Sequence, residues 1–318
     1  MEIKNYKIDI PVLLIFFCRP EKTKQVFDAI KEARPSKLYL YQDGARPNRP
    51  DDVENVKKCR EVVADIDWDC QVFYKYQEEN FGCDPSEFIS QKWMFENEEY
   101  GIVLEDDDVP SQSFFPFCKE LLEKYKDDKR IGIICGMNTL GETNYNDDSY
   151  FFAKSGSIWG WATWKRNVDI WDEHYTWLDD EKLLQNLQRN LSKGEYQQLV
   201  NTSMQHRNTG KAHYETILGS SVIINSMMNI IPHKNMISNI GIGENSTHAT
   251  NNLKLLPKAI RKILYMKTFE LNFPLRHPKY ITEIVQYKKD VNRILAIDYP
   301  VKRFMRRIEG IIYRIINR

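Results

Sequence analysis

Apolar residues alternate in rhythm with polar ones along the first half of the chain. Ile10 to Phe17, "IPVLLIFF", is an unbroken apolar run. Such a run fits a strand buried on both faces, as in a parallel sheet. Val26, Phe27, Ile30 and Ala33 follow at helical spacing within "RPEKTKQVFDAIKEAR". The pattern then repeats. "KLYLYQDG" predicts a second strand, Asp51 to Ala64 a helix, "CQVFYKY" a third strand and Ser86 to Glu98 a helix. "YGIVLEDD" predicts a fourth strand, Phe114 to Lys126 a helix and "IGIICGMN" a fifth strand. Strands alternating with helices in this way define an α/β unit, a doubly wound mixed sheet flanked by helices, up to about Asn138.

The second half is less regular. "SGSIWGWATWKRNVDIWDEHYTW" holds five of the seven tryptophans. Leu178 to Arg207 reads as helical, "HYETILGSSVIINSMMNIIP" as a helix leading into a strand, and "SNIGIGENSTHAT" as a loop.

Charge divides the chain although its net value is zero. Residues 254–318 hold 16 Lys/Arg against 5 Asp/Glu, a net of +11, and the other 29 Lys/Arg and 40 Asp/Glu leave residues 1–253 at −11. At the end of the chain, Phe304, Ile308, Ile311, Ile312 and Ile315 recur at helical spacing among Lys302, Arg303, Arg306, Arg307 and Arg314. A basic amphipathic helix lying on an anionic membrane surface is the expectation. No stretch is long enough to span a bilayer and no signal peptide is read, so the expected location is cytoplasmic and peripheral on the inner face of the cell membrane. The six cysteines contain no CxxC pair, which excludes a zinc site of that type, and Cys18, Cys118 and Cys135 read as core thiols.

Chemistry is expected where strands end. In parallel sheets, ligands bind beyond the carboxyl ends of the strands. Three polar clusters fall there: Cys18-Arg19, Gln42-Asp43-Gly44 and Glu105-Asp106-Asp107-Asp108. Four adjacent carboxylates repel one another, so a positive group is expected to compensate them. For Asp108, or for Ser111 beyond it, capping of the next helix is the simpler reading. Hard cations such as Mn²⁺ or Mg²⁺ suit the other three, since they bridge carboxylates to diphosphates.

"GIVLEDDDVPSQSFFPFCKELLEKY" resembles the metal-binding segment of GT-A-type nucleotide-sugar glycosyltransferases, particularly the inverting N-acetylglucosaminyltransferase I type. "PVLLIFFCRPEKTKQVFDAI" and "LYLYQDG" are similar to the first two strands of that family. The likeness covers residues 10 to 140 well and the rest loosely. It implies a GT-A-like catalytic domain over 1–253, with a nucleotide-sugar half (1–140) and an acceptor half (141–253), followed by the basic region 254–318. It also implies roles: Asp107 as metal ligand, Arg19 and Asp43 on the nucleotide, Glu105 and Asp106 on sugar and ribose hydroxyls. A fourth acid, Asp108, departs from the family's Glu-Asp-Asp-apolar pattern. Glu215 in "AHYETILG" resembles the acid of a Trp-Asp-Tyr segment in related bacterial sugar transferases, with Glu for Asp, and so is the candidate general base; Asp172 is its rival. The "NIGIGENSTHAT" loop resembles one that orders over the donor and brings in His248. Trp159 and Trp161 are read either as acceptor-stacking rings or as core.

The implied activity is transfer of a sugar from a nucleotide-diphosphate donor, UDP-linked by the resemblance, to a glycan or lipid-linked glycan. The alternatives are a sugar-nucleotide nucleotidyltransferase and a non-catalytic carbohydrate-binding protein. The first loop, "CRPEKTK", lacks the glycines that hold a triphosphate in nucleotidyltransferases. A nucleic-acid partner is not expected, because strand-end acids would repel its phosphates.

Overall fold

The computed structural model describes residues 5–242 and 261–295. His248 and the basic amphipathic helix expected over 302–318 lie outside the described residues.

The expected alternation is present. Strand β1 (Ile8–Phe16) leads to α1 (Pro20–Ala33), β2 (Pro35–Gln42), α2 (Pro50–Val63), β3 (Gln71–Tyr76), α3 (Cys83–Asn97) and β4 (Tyr100–Glu105). After a three-residue strand, β5 (Asp108–Pro110), come α4 (Phe114–Lys124) and β6 (Ile131–Cys135). The second half supplies β7 (Tyr150–Ala153), β8 (Trp161–Trp164), α5 (Lys165–Val168), α6 (Glu181–Asn190), α7 (Lys193–Thr209), α8 (Tyr214–Ile224), β9 (Met228–Pro232), β10 (Ile237–Asn239) and α9 (Val285–Leu295).

Eight strands form one mixed sheet in the order β3-β2-β1-β4-β8-β6-β9-β7. β1 to β4 run parallel, with Phe16 opposite Gln42 and Ile15 opposite Glu105. Their carboxyl ends therefore share one edge. β1 alternates strictly. Val12, Leu14 and Phe16 pack beneath α1, α2 and α4, while Leu13 and Ile15 face α3 and α8 across the sheet. Burial on both faces accounts for the unbroken apolar run in the sequence.

The sheet order adds one feature that the sequence did not specify, and one expectation fails. β6 is not next to β4, because β8 inserts antiparallel between them. "WATW" reads as an aromatic patch because all four of its residues are buried, so it shows no alternation. The start of α4 is capped neither by Asp108 nor by Ser111. The Glu270 carboxylate accepts from the Gln112 and Ser113 backbone N–H groups (3.1 and 2.7 Å) and from the Ser113 hydroxyl. A partner 157 residues away in the chain cannot be read from local capping rules.

Residues 261–295 pack on the body of the molecule. Leu275, Tyr287 and Val291 are buried, and the Tyr287 hydroxyl accepts from Thr139 N at 3.2 Å. All six cysteines are free, with Cys18, Cys118 and Cys135 buried as expected. No helix among the described residues is long and apolar enough to cross a membrane.

Candidate active site

The strand ends of β1, β2 and β4 meet the start of α3 around a cleft. It encloses about 680 Å³ of non-atom space open to solvent. Arg19, Asp43, Glu105 and Asp106 line it together with Arg46, Ser86 and Glu87. The convergence expected from topology is thus realised at one place.

The acids find their positive group in Arg19. Its guanidinium bridges Asp106 and Asp107, the latter at 2.9 Å. Burial disfavours the charge on Arg19, but Asp106 and Asp107 outweigh it and hold the pKa above its ordinary value. Asp107 shifts upward, first because it is buried and then because Asp106 adjoins it, with Arg19 opposing. Lys22 stands nearby and donates to the Ile242 carbonyl at 3.2 Å.

The second half of the chain closes around the same acids. β10 pairs antiparallel with β5 and sets Asn239 opposite Asp108. The Asn239 amide donates to Asp107 Oδ1 at 3.1 Å and Asp108 Oδ1 at 3.0 Å. The backbone N–H of Gly160 donates to Asp108 Oδ2 at 2.9 Å. Asp108 is fully buried and ties β5 to β10 and to the entry of β8; it is a structural hub. Gly241 follows. A Cβ there would lie 2.5 Å from Asp107 Oδ2, so only glycine lets this backbone approach the carboxylate.

Asp43 is not open in the way its assigned role requires. Its two oxygens accept from Gly44 N, Phe81 N, Gly82 N and the Asn80 amide at 2.8–3.0 Å. Four donors fill a carboxylate, so Asp43 moulds the loop that forms one wall of the cleft. Burial raises its pKa, and the three backbone N–H groups oppose the rise.

Among the described residues, no ion pair is formed by the other carboxyls of the cleft, Glu87 and Glu105. Glu87, absent from the sequence reading, is 7% exposed and accepts from the Cys83 thiol at 3.1 Å. Burial, with further contributions from Glu215, Asp84 and Asp107, pushes it up to about 8. Burial and then Glu87 raise Glu105 well above the usual range. A glutamate in the first turns of a helix reads as a surface residue; only the packing of α3 against the sheet turns it inward.

Glu87 carries a testable consequence. Its folded pKa lies above the usual 4.5, so the folded state holds a proton that the unfolded chain releases. Stability therefore falls as pH rises from about 4.5 to about 8. Glu87→Gln keeps the neutral shape and should flatten that decline. Denaturant midpoints at pH 5 and pH 8 read it; an unchanged slope would mean that Glu87 is ionised and compensated.

The other assigned residues separate. Glu215 is exposed in the first turn of α8 and lines a second cavity with Trp159. Trp161 is 1% exposed and stacks on Tyr214 at 6.3 Å between ring centroids; it is core, without a face for an acceptor. Asp172 accepts from His174 N, Thr176 Oγ1 and Trp177 N (3.1, 2.9 and 3.2 Å), which fastens the turn before α6.

The fold and this strand-edge cleft define an α/β protein with a mixed sheet and an acid-lined polar site. No protein-family model matches the chain. No curated protein matches it either. Among solved structures, it is similar to a UDP-glucose pyrophosphorylase complexed with UDP-glucose, with 12% identity and a TM-score of 0.26 over 45% of this chain and 62% of that one. It is also similar to an apo UDP-glucose pyrophosphorylase, with 8% identity and a TM-score of 0.35 over 74% and 93% of the two chains. At these values neither likeness bears on fold or function, and the chain spans less than two thirds of the first of them.

Proposed function

We propose that the protein is an inverting, metal-dependent glycosyltransferase that moves a sugar from a nucleotide diphosphate to an acceptor hydroxyl. The observation that carries this reading is the meeting of Arg19, Glu105, Asp106 and Asp107 at the carboxyl edge of the parallel strands. Among the described residues, no three His, Cys, Asp or Glu side chains form a self-sufficient metal cage. A cation carried by a diphosphate does not need one, because phosphates and waters complete its shell. Asp107, a hard oxygen donor, is the residue that would hold it, once its contacts with Arg19 and Asn239 give way. Mn²⁺ or Mg²⁺ held there would neutralise the charge developing on the departing diphosphate.

The chain's own residues perform the rest. Arg19 is within reach of phosphate oxygens once it loosens from Asp106 and Asp107. Glu105 and Glu87, which line the cleft, take sugar hydroxyls as hydrogen-bond partners. An inverting transfer needs one base to accept the proton of the acceptor hydroxyl. Glu215, exposed and lining a cavity, is assigned that task; Asp172 accepts three hydrogen bonds within one turn and is its rival.

Calorimetric titration with UDP, GDP and CDP, each with and without Mn²⁺, tests the reading. Metal-dependent binding of one nucleotide is expected. Failure of all three to bind the folded protein would sink the transferase and favour a carbohydrate-binding role. Turnover of a nucleoside triphosphate with a sugar 1-phosphate would favour the nucleotidyltransferase instead.

A further inference from the structure

The main sheet has two edges, and the chain treats them differently. At one edge, residues 276–284 cover β7. Ser149 N donates to the Arg276 carbonyl and Ile284 N to the Phe152 carbonyl, both at 2.8 Å, and Phe152 bridges Glu283. At the other edge stands β3, which among the described residues has no neighbour beyond β2. A free edge recruits another strand through its unpaired backbone groups unless a proline, a bulge or a covering loop blunts it. β3, "QVFYKY", has no proline, and its register with β2 runs unbroken from Gln71 to Tyr76.

Backbone geometry decides what can pair there. Along a strand, the N–H and C=O groups of successive residues point to alternate sides. Gln77 N donates inward to the Gln42 carbonyl at 2.9 Å. By alternation, Gln71, Phe73 and Lys75 face β2, while Val72, Tyr74 and Tyr76 face outward. The side chains of the outward residues share one face of the sheet. Tyr76 meets Phe16 edge-on at 6.1 Å between ring centroids, and Tyr74 meets Tyr76 at 5.6 Å. Tyr74 itself is 55% exposed.

A second copy of the same strand satisfies this edge. A two-fold axis perpendicular to the sheet keeps each side-chain face on its own side, so a residue can oppose only one of its own parity. Centred on Tyr74, the pairing sets Tyr74 against its counterpart and Val72 against Tyr76 on both sides of the axis. Those are three facing pairs, each exchanging two backbone hydrogen bonds. Centred on Phe73, only the two pairs of Val72 with Tyr74 face each other within β3, so the Tyr74 register is favoured. It also places Phe73 opposite Lys75 on the other face of the sheet. Lys75 already lies over an aromatic ring there, its Nζ 5.7 Å from the centre of Trp93, and a second ring adds to that attraction.

We infer that the protein self-associates through β3 as an antiparallel dimer about a two-fold axis at Tyr74, so that one sheet runs through both copies.

A seam of one strand pair is small beside a standard interface, which puts the dimer in the micromolar range. Sedimentation equilibrium of the full chain should show the mean mass rising from one chain toward two between about 5 and 500 μM. Tyr74→Lys sets two ammonium groups at the axis and should weaken association at least about tenfold; Tyr74→Glu repeats the test with two carboxylates should the lysine variant fail to fold. Tyr74→Cys reads the register. Facing hydrogen-bonded residues of antiparallel strands stand about 5.5 Å apart between Cα atoms, within reach of a disulfide. Under mild oxidation this variant should form a covalent dimer about tenfold faster than wild type, because the seam raises the local thiol concentration. Met204→Cys is the control, at a similarly exposed position (52%) on α7, and should cross-link at the wild-type rate. A chain that stays monomeric over the whole range would overturn the inference. So would a dimer unmoved by both charged variants, or cross-linking of Tyr74→Cys no faster than that of Met204→Cys.

Discussion

Arg19→Ala should lower the stability of the folded chain by about 3 kcal/mol near neutral pH, as expected when one partner of a buried ion pair is removed. The guanidinium reaches both Asp106 and Asp107, which are 3% and 8% exposed. Without it, two adjacent buried carboxylates face each other, and Lys22, a cation that also acts on them, already has its charge disfavoured by burial. The variant also separates structure from function. If Asp107 is a metal ligand, Mn²⁺ should restore much of the lost stability, because a divalent cation replaces the missing positive charge. The gain in urea midpoint on adding Mn²⁺ should then be larger for Arg19→Ala than for wild type. A loss below about 1 kcal/mol, with no response to Mn²⁺, would place the pair among weak surface bridges. It would also withdraw support from Asp107 as a ligand.

Glu215→Gln should reduce turnover by about 10²–10⁴-fold, the usual contribution of a general base. Nucleotide affinity should stay at the wild-type value, because Glu215 lines the second cavity and not the donor cleft. The amide keeps the shape and the hydrogen-bonding reach of the acid but cannot take a proton. Asp172→Asn is the control. Its carboxylate holds three donors of one turn, so the substitution should cost about 1 kcal/mol of stability, the scale of a lost cap, and leave turnover nearly intact. Wild-type turnover in Glu215→Gln, with a collapse in Asp172→Asn, would exchange the two roles.

Much of the fold was legible because its signals are local. A strand buried on both faces must be apolar throughout, and a helix over a sheet must be apolar every third or fourth residue; Ile10–Phe17 and Val26–Ala33 show each pattern plainly. The strand-end polar clusters followed from the same reasoning, since parallel strands share one carboxyl edge. β8 was not legible, because four buried residues between two distant neighbours carry no periodicity. Neither was the cap of α4, whose partner Glu270 arrives from the far end of the chain. Glu87 was missed for a related reason: its helix has apolar and polar residues intermixed, so nothing in the local pattern says which face turns inward.

By itself, the sequence determined the α/β rhythm, the edge where polar residues gather and the need for a positive charge beside four acids. Each of these depends on neighbours in the chain or on the chemistry of the side chains alone. Only the tertiary structure decided how the acids are divided. Arg19 takes Asp106 and Asp107, Asn239 and Gly160 take Asp108, and Glu105 is left with Glu87 in the lining of the cleft. Charge compensation falls steeply with distance in a low-dielectric interior, so it depends on which groups the fold brings within a few ångströms. Asn239 lies 131 residues from Asp108, and their meeting follows from the pairing of two three-residue strands that local sequence does not announce.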